Sequence, residues 1–523
     1  MNSIVMKSIY FKIIFASLIL VGCAKNDQDD DQITVVNPPE QVDTEINDFI
    51  WKGLNQWYYW QEDVTNLADT RDDNAAAYKT YLSSLDQGEP FFNSLKHEDD
   101  RFSWIEDDYT VLENQLAGIS ASNGMKFILY RRCDGCNGLV AGVTYVLPNS
   151  DAAEKGIVRG DIFNSVNGEE LTLDNYSGLI YSDAMSYSID LVNYNPSLDV
   201  VTPRNITITL NKEENFQEIP IHKNQVIEHN GVRVGYLMYN QFLSTVDADG
   251  DGQNEHDFNQ ALIDVFAELQ SQNITELVVD LRYNGGGSVQ TCTYLASLIT
   301  GQFTGEIFAK QIWNSKLMAY IDSVNSNSDP DDDLDFNNHF VDQTTGGVNL
   351  PSLGLNRVYF LTSGRSASAS ELLINGLAAH IDVIQIGGTT YGKNVGSITL
   401  YDYIDNNNEV KNPNHRYAMQ PIVLKIANND GFADYADGLP PEPNNNPRLS
   451  FVSARESVSS FGVLGSPTEP FLAAALNQIS PDTNARKAAI PQGPVLESIL
   501  DKETARQQRM FIELPKISAT NLH

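Results

Sequence analysis

Apolar and polar residues follow alternating strand and helix patterns in the second half of the chain. Residues 357–362 have strand composition, residues 371–380 place leucines on one side as a helix does, and residues 382–387 again have strand composition. A strand, a helix and a strand within about 30 residues form a right-handed βαβ unit whose two strands point the same way. The loops that follow both strands therefore open at one edge of a parallel sheet.

An earlier stretch repeats this pattern. Residues 275–282 are apolar and strand-like, glycines follow at 285–287, and residues 289–299 have helical composition. The glycine turn therefore reaches the same edge as the loops after residues 362 and 387. Because open α/β sheets bind ligands in the crevice at this edge, we expect the functional site there.

The first half of the chain predicts two other kinds of structure. Between residues 46 and 58 the apolar residues recur at helical spacing, so we predict a small helical domain. Residues 143–168 have the pattern of a strand, a short helix, a Gly-Asp turn and a strand that ends in Asn-Gly. The predicted fold is therefore α/β, with a helical amino-terminal domain and an inserted β-rich domain.

Length and charge narrow the function classes. A chain of 523 residues suggests two to four domains. It carries 69 acidic and 34 basic residues, a net charge of −35, which argues against binding nucleic acid through its phosphates. Lys7, Lys12, an apolar run at 13–21 and then Cys23 predict a secretion leader. That run is far shorter than the ~20 residues that a membrane-spanning helix needs.

Ser368 and Lys393 follow the two strands of the βαβ unit and so reach the same sheet edge. A serine hydroxyl is a weak nucleophile until a nearby base takes its proton. A lysine can be that base when burial lowers its pKa from about 10.4 toward neutrality. The glycine turn and the N–H of Ala369 would then supply an oxyanion hole. Each feature also has a structural explanation: the serine segment would serve helix packing, Lys393 would be a solvated loop residue, and the glycines would form an ordinary turn. Their position at one shared sheet edge favours catalysis instead.

Three segments resemble those of the carboxyl-terminal processing, or tail-specific, serine peptidases. They are 280–287 (Asp-Leu-Arg-Tyr-Asn-Gly-Gly-Gly), 366–371 (Ser-Ala-Ser-Ala-Ser-Glu) and 390–393 (Thr-Tyr-Gly-Lys). The resemblance covers most of residues 110–480 and implies a ClpP/crotonase-like peptidase core with an inserted PDZ-like domain.

The resemblance also implies the roles of site residues. It implies Ser368 as the nucleophile, Lys393 as the base, and the N–H groups of Gly286 and Ala369 as oxyanion donors. In the family a glutamine four residues after the lysine orients it, whereas this chain has Ser397 there. A serine hydroxyl can still hydrogen-bond an amine, but its reach is shorter.

The implied activity is that of a serine endopeptidase, which cleaves unstructured polypeptides or protein C-terminal tails through an acyl-enzyme and requires no metal or nucleotide. A PDZ domain binds an extended peptide by strand addition and holds its carboxylate, which we expect near Gly118 and Ile119. The expected divisions are a leader at 1–23, an acidic tether at 24–44, a helical domain at 45–112, a PDZ-like domain at 113–215, a peptidase core at 216–480 and a tail at 481–523.

Other functions remain open at this point. A peptidase fold without activity could bind peptide or an envelope protein, with Ser397 as the sign of lost catalysis. A protein that handles glycans or nutrients would instead have a cleft lined by aromatic residues. Residues 387–393 also match the first seven positions of a P-loop. Asn394 stands where that motif needs Ser or Thr, and a strand pattern follows, which argues against a phosphate site.

Residues 20–23, Leu-Val-Gly-Cys, resemble the lipobox of bacterial lipoproteins. The resemblance implies lipidation of Cys23 and an exported protein at the outer membrane, cell surface or periplasm. The acidic residues at 27–31 would then form a solvated tether. We expect polypeptide substrates, no nucleic acid, and membrane contact through the lipid anchor alone.

Two motifs concern structural stability. Cys133 and Cys136 predict a small disulfide rather than half of a zinc site, because no second cysteine pair exists. Three aspartates have the spacing of a calcium-binding loop, although the bidentate Glu of its twelfth position is missing. Structural calcium and a solvated acidic loop both remain open for these residues, Asp247, Asp249 and Asp251.

Overall fold

The structure is a computed structural model that describes residues 44–246, 256–327, 333–405, 408–440, 448–458, 461–481, 496–499 and 509–512. The predicted lipidation site Cys23 and the predicted calcium ligands Asp247, Asp249 and Asp251 lie outside these ranges. Among the residues described, no helix is long and apolar enough to cross a membrane. Within the same ranges, no group of His, Cys, Asp or Glu side chains could hold a metal ion.

The amino-terminal region is helical. Helix α1, Glu45–Trp57, buries the apolar face that its spacing predicted, with Phe49, Ile50 and Leu54 in one cluster. Met419, from a distant part of the chain, completes this cluster. The region continues with single 3-10 turns at Gln61–Asp63, Thr65–Leu67 and Asp69–Arg71, then α2 (Ala75–Leu82), α3 (Glu89–Ser94), β1 (Trp104–Glu106) and α4 (Tyr109–Leu116).

A β-rich region follows. Its elements are β2 (Ile119–Ser122), β3 (Met125–Arg131), β4 (Leu139–Val146), α5 (Asp151–Glu154), β5 (Ile162–Val166), β6 (Glu169–Glu170), α6 (Tyr176–Ile180), β7 (Ser186–Asn195), β8 (Val200–Asn211) and β9 (Glu213–Gln217). The main sheet has the order β3-β4-β5-β7-β8, and β2 pairs separately with β9. A disulfide joins Cys133 to Cys136 in the turn between β3 and β4. The region has its own hydrophobic core, around Phe163 and Leu191.

The remaining elements build the core of the molecule. They are β10 (Ile221–His229), β11 (Val232–Tyr239), β12 (Thr245–Val246), β13 (His256–Asp257), α7 (Phe258–Ser271), β14 (Glu276–Asp280), β15 (Gly286–Ser288), α8 (Val289–Thr300), β16 (Ile307–Trp313), α9 (Ser315–Asn327), β17 (Asn338–His339), β18 (Arg357–Thr362), α10 (Ala369–Leu377), β19 (Asp382–Gly387), β20 (Val395–Ser397), β21 (Leu400–Tyr401), β22 (Ala418–Gln420), β23 (Ile422–Asn428), β24 (Leu449–Ser453), α11 (Pro470–Ile479) and β25 (Arg509–Phe511).

The central sheet has the strand order β10-β11-β14-β18-β19-β24. All neighbours from β11 to β24 are parallel, so β18, α10 and β19 form the βαβ unit that the sequence predicted. Successive residues of a strand face opposite sides of the sheet. Val279 and Phe360 therefore pack against α7, α8 and α10, whereas Val278 and Tyr359 pack against α11.

A second sheet lies beyond the carboxyl edge of the first. Its order is β15-β25-β20-β23-β16-β17, and its members β15 and β20 follow the central strands β14 and β19 along the chain. The chain therefore passes from one sheet to the other at the predicted edge. A small three-stranded sheet, β1-β22-β21, joins the helical region to the core.

Candidate active site

Three loops bring the predicted site residues to one edge. Gly286 follows β14, Ser368 follows β18, and Lys393 follows β19. Each loop leaves a parallel central strand at its carboxyl end, so all three converge. The P-loop interpretation fails here, because residues 395–397 form strand β20 rather than a helix.

Ser368 lies immediately before helix α10 with φ of 65° and ψ of −118°. A positive φ is costly for a residue other than glycine and persists only where the surroundings impose it. The side chain is fully buried, and its Oγ has no hydrogen-bond partner among the described residues. An unpaired buried hydroxyl at a strained turn is what a nucleophile awaiting a substrate would show.

Lys393 is buried as well, with 3% of its surface exposed. Burial, and secondarily the nearby positive charge of Arg509, lowers the pKa of Lys393 to about 7, although Asp100 and Glu371 act in the opposite direction. The ammonium nitrogen lies 4.8 Å from the ring centre of Phe102. At neutral pH a substantial fraction of this lysine is therefore the free amine, which can accept a proton.

Glu371 is a site residue to which the sequence analysis assigned no role. Its Oε2 accepts hydrogen bonds from the backbone N–H of Ser368 at 2.7 Å and of Lys393 at 2.8 Å. Its Oε1 accepts from the N–H of Gly392 at 2.7 Å and the hydroxyl of Thr390 at 2.5 Å. One carboxylate thus holds the serine and lysine loops together. Burial raises the pKa of Glu371, and these four hydrogen bonds counter that effect.

A sequence signal for Glu371 did exist. A serine followed three residues later by glutamate, at the start of a helix, is the spacing of a capping box. The glutamate side chain does return to the Ser368 N–H as that pattern predicts. Its contacts with Gly392 and Lys393 span more than twenty residues of sequence, so local spacing could not show them.

Gly286 packs directly against the nucleophile turn. Its φ is 107°, and a Cβ built on it would lie 2.6 Å from the Cβ of Ser368 and 3.0 Å from the nitrogen of Ala369. Only glycine permits this approach. The N–H of Ala369 belongs to the first turn of α10, whose amides lack intrahelical acceptors. The N–H of Gly286 donates to Asn284 Oδ1 at 2.8 Å, so the Asn284 side chain holds this predicted oxyanion donor.

Buried ion pairs and hydrogen bonds hold residues 280–284, the Asp-Leu-Arg-Tyr-Asn segment that precedes this turn. Arg282 is fully buried and forms ion pairs with Asp280 at 2.6 Å and with Glu469 of the loop before α11 at 2.7 Å. Asn284 donates to the Tyr239 carbonyl at 2.9 Å, and its own carbonyl accepts from Ala367 and Ser370. The glycine turn and the serine turn are therefore held as one piece.

The hydroxyl of Ser397, the predicted orienting residue, forms a hydrogen bond with a distant part of the chain. Its hydroxyl donates to the carbonyl of Met510 at 3.1 Å. Met510 belongs to β25, which lies between β15 and β20 in the second sheet. The residue at the family's glutamine position therefore binds strand β25.

A cavity of about 250 Å³ opens beside Lys393. Charged, polar and aromatic side chains line it together, so it is not the predominantly aromatic cleft that glycan or nutrient handling predicted. Lining residues include Lys96, Arg101, Phe102, Trp104, Lys393 and Arg509. Arg101 closes one wall, since it donates to the carbonyl of Gly392 at 2.7 Å.

The strand at the predicted peptide-binding residues is paired along one edge within the chain. Ile119 pairs with Gln217 of β9 and is buried in a small apolar cluster with Leu243 and Phe258. The carbonyl of Gly118 accepts the N–H of Glu218 at 2.9 Å. Strand β9 therefore occupies one edge of β2, and the described residues pair no other strand with β2, so peptide addition near Gly118 and Ile119 stays a prediction.

Two parts of the chain match known peptidase domains. Residues 233–420 match the model of peptidase family S41, and residues 45–104 match the peptidase S41 N-terminal domain. A carboxyl-terminal-processing protease of Picosynechococcus sp. (strain ATCC 27264 / PCC 7002 / PR-6) is 25% identical over 256 residues, which are 48% of this chain and 53% of that protein. The chain thus spans about half the length of this curated relative.

The fold has a solved counterpart. The crystal structure of a Bacteroides fragilis NCTC 9343 protein assigned as an S41 protease aligns over 83% of this chain and 97% of its own, with a TM-score of 0.59 and 23% identity. The two family models and this shared fold define the class: an α/β peptidase-type core preceded by a helical domain. Residues 45–104 and 233–420 thus carry the two S41 domains, and the second of these contains all three motifs, which confirms their family resemblance.

Proposed function

We propose that this protein is a serine endopeptidase that cleaves unstructured polypeptides or protein C-terminal tails with Ser368 as nucleophile and Lys393 as base. The observation that carries the proposal is the shared carboxylate of Glu371, which binds the backbone of both residues while Lys393 is buried with a pKa of about 7. Family membership supports the same reaction class.

The reaction follows from these positions. Lys393 Nζ takes the proton of Ser368 as its Oγ bonds to the substrate carbonyl carbon, and the N–H of Ala369 stabilises the resulting oxyanion. The peptide C–N bond then breaks, and the leaving amine takes the proton from Lys393. Water next attacks the acyl-enzyme and gives a proton to Lys393. When the ester bond breaks, that proton returns to Ser368 and the acid leaves.

Gly286 contributes its N–H to the oxyanion hole once that N–H turns from Asn284 toward the reacting oxygen. In the present arrangement the N–H is held by the Asn284 side chain. A peptide-binding protein without catalysis would keep this arrangement with ligand bound, which makes it the competing proposal. Substrate-dependent release of the Gly286 N–H separates the two.

Cleavage of unfolded casein by wild type, Ser368→Ala and Lys393→Ala tests the proposal. Both variants should lose activity, whereas Lys52→Ala, at an exposed helix position, is the matched control and should retain it. A wild type that is folded but inert, or a Lys393→Ala variant as fast as wild type, would contradict the Ser–Lys mechanism.

We also propose that the protein is exported and lipidated at Cys23. The support is the Leu-Val-Gly-Cys sequence after an apolar run. Metabolic labelling with a radioactive fatty acid should mark the wild type and leave Cys23→Ala unlabelled. Label retained by the variant would contradict the proposal.

A further inference from the structure

Residues 509–512 lie inside the candidate active site. Strand β25, Arg509–Phe511, runs parallel to β15 on one side and to β20 on the other. Strand β15 carries the predicted oxyanion glycine, and β20 follows directly after Lys393. An extended segment of the protein therefore lies between the two walls of its own site.

Its backbone is bound in the way that an added peptide strand is bound. The N–H of Arg509 donates to the Gly285 carbonyl at 2.9 Å, and the N–H of Ile512 donates to the Ser397 carbonyl at 3.0 Å. The Met510 carbonyl accepts from the Ser397 hydroxyl at 3.1 Å. Strand addition uses such backbone hydrogen bonds for affinity and leaves the side chains to give specificity.

The segment also occupies the space beside the nucleophile. The Arg509 carbonyl oxygen lies 2.1 Å from the position that a Cβ on Gly286 would take, and Ser368 Cβ lies 2.6 Å from the same position. A substrate carbonyl must come between Ser368 and the N–H of Ala369 in order to react. The backbone at Arg509 and an incoming peptide therefore compete for one place.

Side chains of the segment hold it in register. The Arg509 guanidinium donates to the Gln115 backbone carbonyl and, at 3.1 Å, to the Gln115 Oε1 atom. Met510 is fully buried in the main core, and Phe511 lines the cavity beside Lys393. An arginine followed by two apolar residues is thus the pattern that the groove accepts.

The two strands that flank residues 509–512 also have hydrogen-bonded partners elsewhere. Strand β20 pairs with β23 through three residues but with β25 only through Ser397 and Phe511. The glycine strand β15 is held from its other side, where Phe242 donates to Gly286 and accepts from Ser288. Departure of the segment would take Met510 out of the main core but would leave these backbone hydrogen bonds of β15 and β20 in place.

We propose that residues 509–512 are an internal occupant of the substrate groove, which an incoming polypeptide must displace before it is cleaved. This inference rests on the proposed peptidase function for its effect on rate, but not for the binding competition itself. The groove then favours extended polypeptides that carry a basic residue followed by apolar ones.

The first test measures kcat/KM on unfolded casein for the full chain and for Arg509→Ala, at pH 9 so that protonation of Lys393 limits the rate least. Loss of the two Gln115 hydrogen bonds should raise kcat/KM about tenfold or more, since one hydrogen bond from a charged group already corresponds to about that factor. Arg233→Ala, which removes a surface arginine paired with Glu228, is the control and should change nothing. A synthetic peptide of residues 505–516 should return the Arg509→Ala rate toward wild type.

The second test needs no catalysis. In Ser368→Ala, hydrogen–deuterium exchange of the peptide that contains residues 509–512 is measured with and without saturating casein. Faster exchange with casein supports displacement; unchanged exchange, or an Arg509→Ala rate equal to wild type, overturns the proposal. If neither wild type nor Arg509→Ala cleaves casein, the peptidase proposal fails and the exchange result alone decides this one.

Discussion

Replacing Glu371 by glutamine tests whether one carboxylate assembles the site. Its two oxygens accept four hydrogen bonds, from Ser368, Lys393, Gly392 and Thr390. An amide group keeps one accepting oxygen and turns the other position into a donor that faces N–H groups. At least two of the four hydrogen bonds should therefore be lost.

The magnitude follows from the character of these bonds. Hydrogen bonds to a charged group contribute about 1.5–3 kcal/mol each. The neutral amide avoids the cost of burying a charge, which offsets part of the stability lost with these hydrogen bonds. We expect Glu371→Gln to lower the free energy of unfolding by about 2–4 kcal/mol. Because the Ser368 and Lys393 loops would separate by a fraction of an ångström or more, kcat should fall about 10²-fold.

Two assays on the same protein separate stability from positioning. Denaturant unfolding gives the first quantity, and casein cleavage well below the unfolding midpoint gives the second. Glu154→Gln, at an exposed helical position, is the matched control and should alter neither. A folded Glu371→Gln variant with kcat within about twofold of wild type would refute a positioning role for the carboxylate.

Three further predictions concern the other site residues. Since Lys393 acts as a base only when unprotonated, kcat/KM should rise with pH through a midpoint of about 7; a rate independent of pH between 5 and 9 would contradict this. Lys393→Met should abolish cleavage yet raise the free energy of unfolding at pH 7 by about 2–4 kcal/mol. The pKa of Lys393 is about 7 in the folded protein and 10.5 in the unfolded chain, so protonation of the lysine at pH 7 favours the unfolded chain, and methionine removes that effect. Between pH 7 and 10.5 the unfolded wild-type chain binds more protons than the folded protein, so wild-type stability should rise with pH over this range. The difference in unfolding free energy between wild type and Lys393→Met should therefore narrow. A difference that stays constant from pH 7 to 10 would be inconsistent with a depressed lysine pKa. Gly286→Ala should reduce kcat/KM by about 10²-fold or more, since its methyl group would meet the Arg509 carbonyl and Ser368 at a φ of 107°; casein cleavage at the wild-type rate would show that this approach is not required.

Local pattern predicted the parts of the fold whose partners are close in sequence. The βαβ unit of β18, α10 and β19 and the buried face of α1 follow from apolar spacing over one or two dozen residues. The convergence of the three motif loops also followed, because parallel strands direct their carboxyl ends to one edge.

The structural features that the sequence did not predict depend on pairing between residues that are far apart in the chain. Strand β25 joins residues 286–288 from more than two hundred positions away, and three residues carry no periodicity of their own. The pairing of Ile119 with Gln217 likewise joins residues that are far apart in sequence. The first pairing places residues 509–511 beside the glycine strand, and the second determines which edge of β2 is occupied.

The central claim is that Ser368 is a nucleophile activated by Lys393. Its most direct test is mass spectrometry after treatment with a fluorophosphonate, which reacts with activated serines. The account predicts a single adduct on Ser368, formed faster as pH rises through about 7, absent in Ser368→Ala and strongly slowed in Lys393→Ala. An adduct on another residue, or equal labelling of Ser368 in wild type and Lys393→Ala, would contradict it.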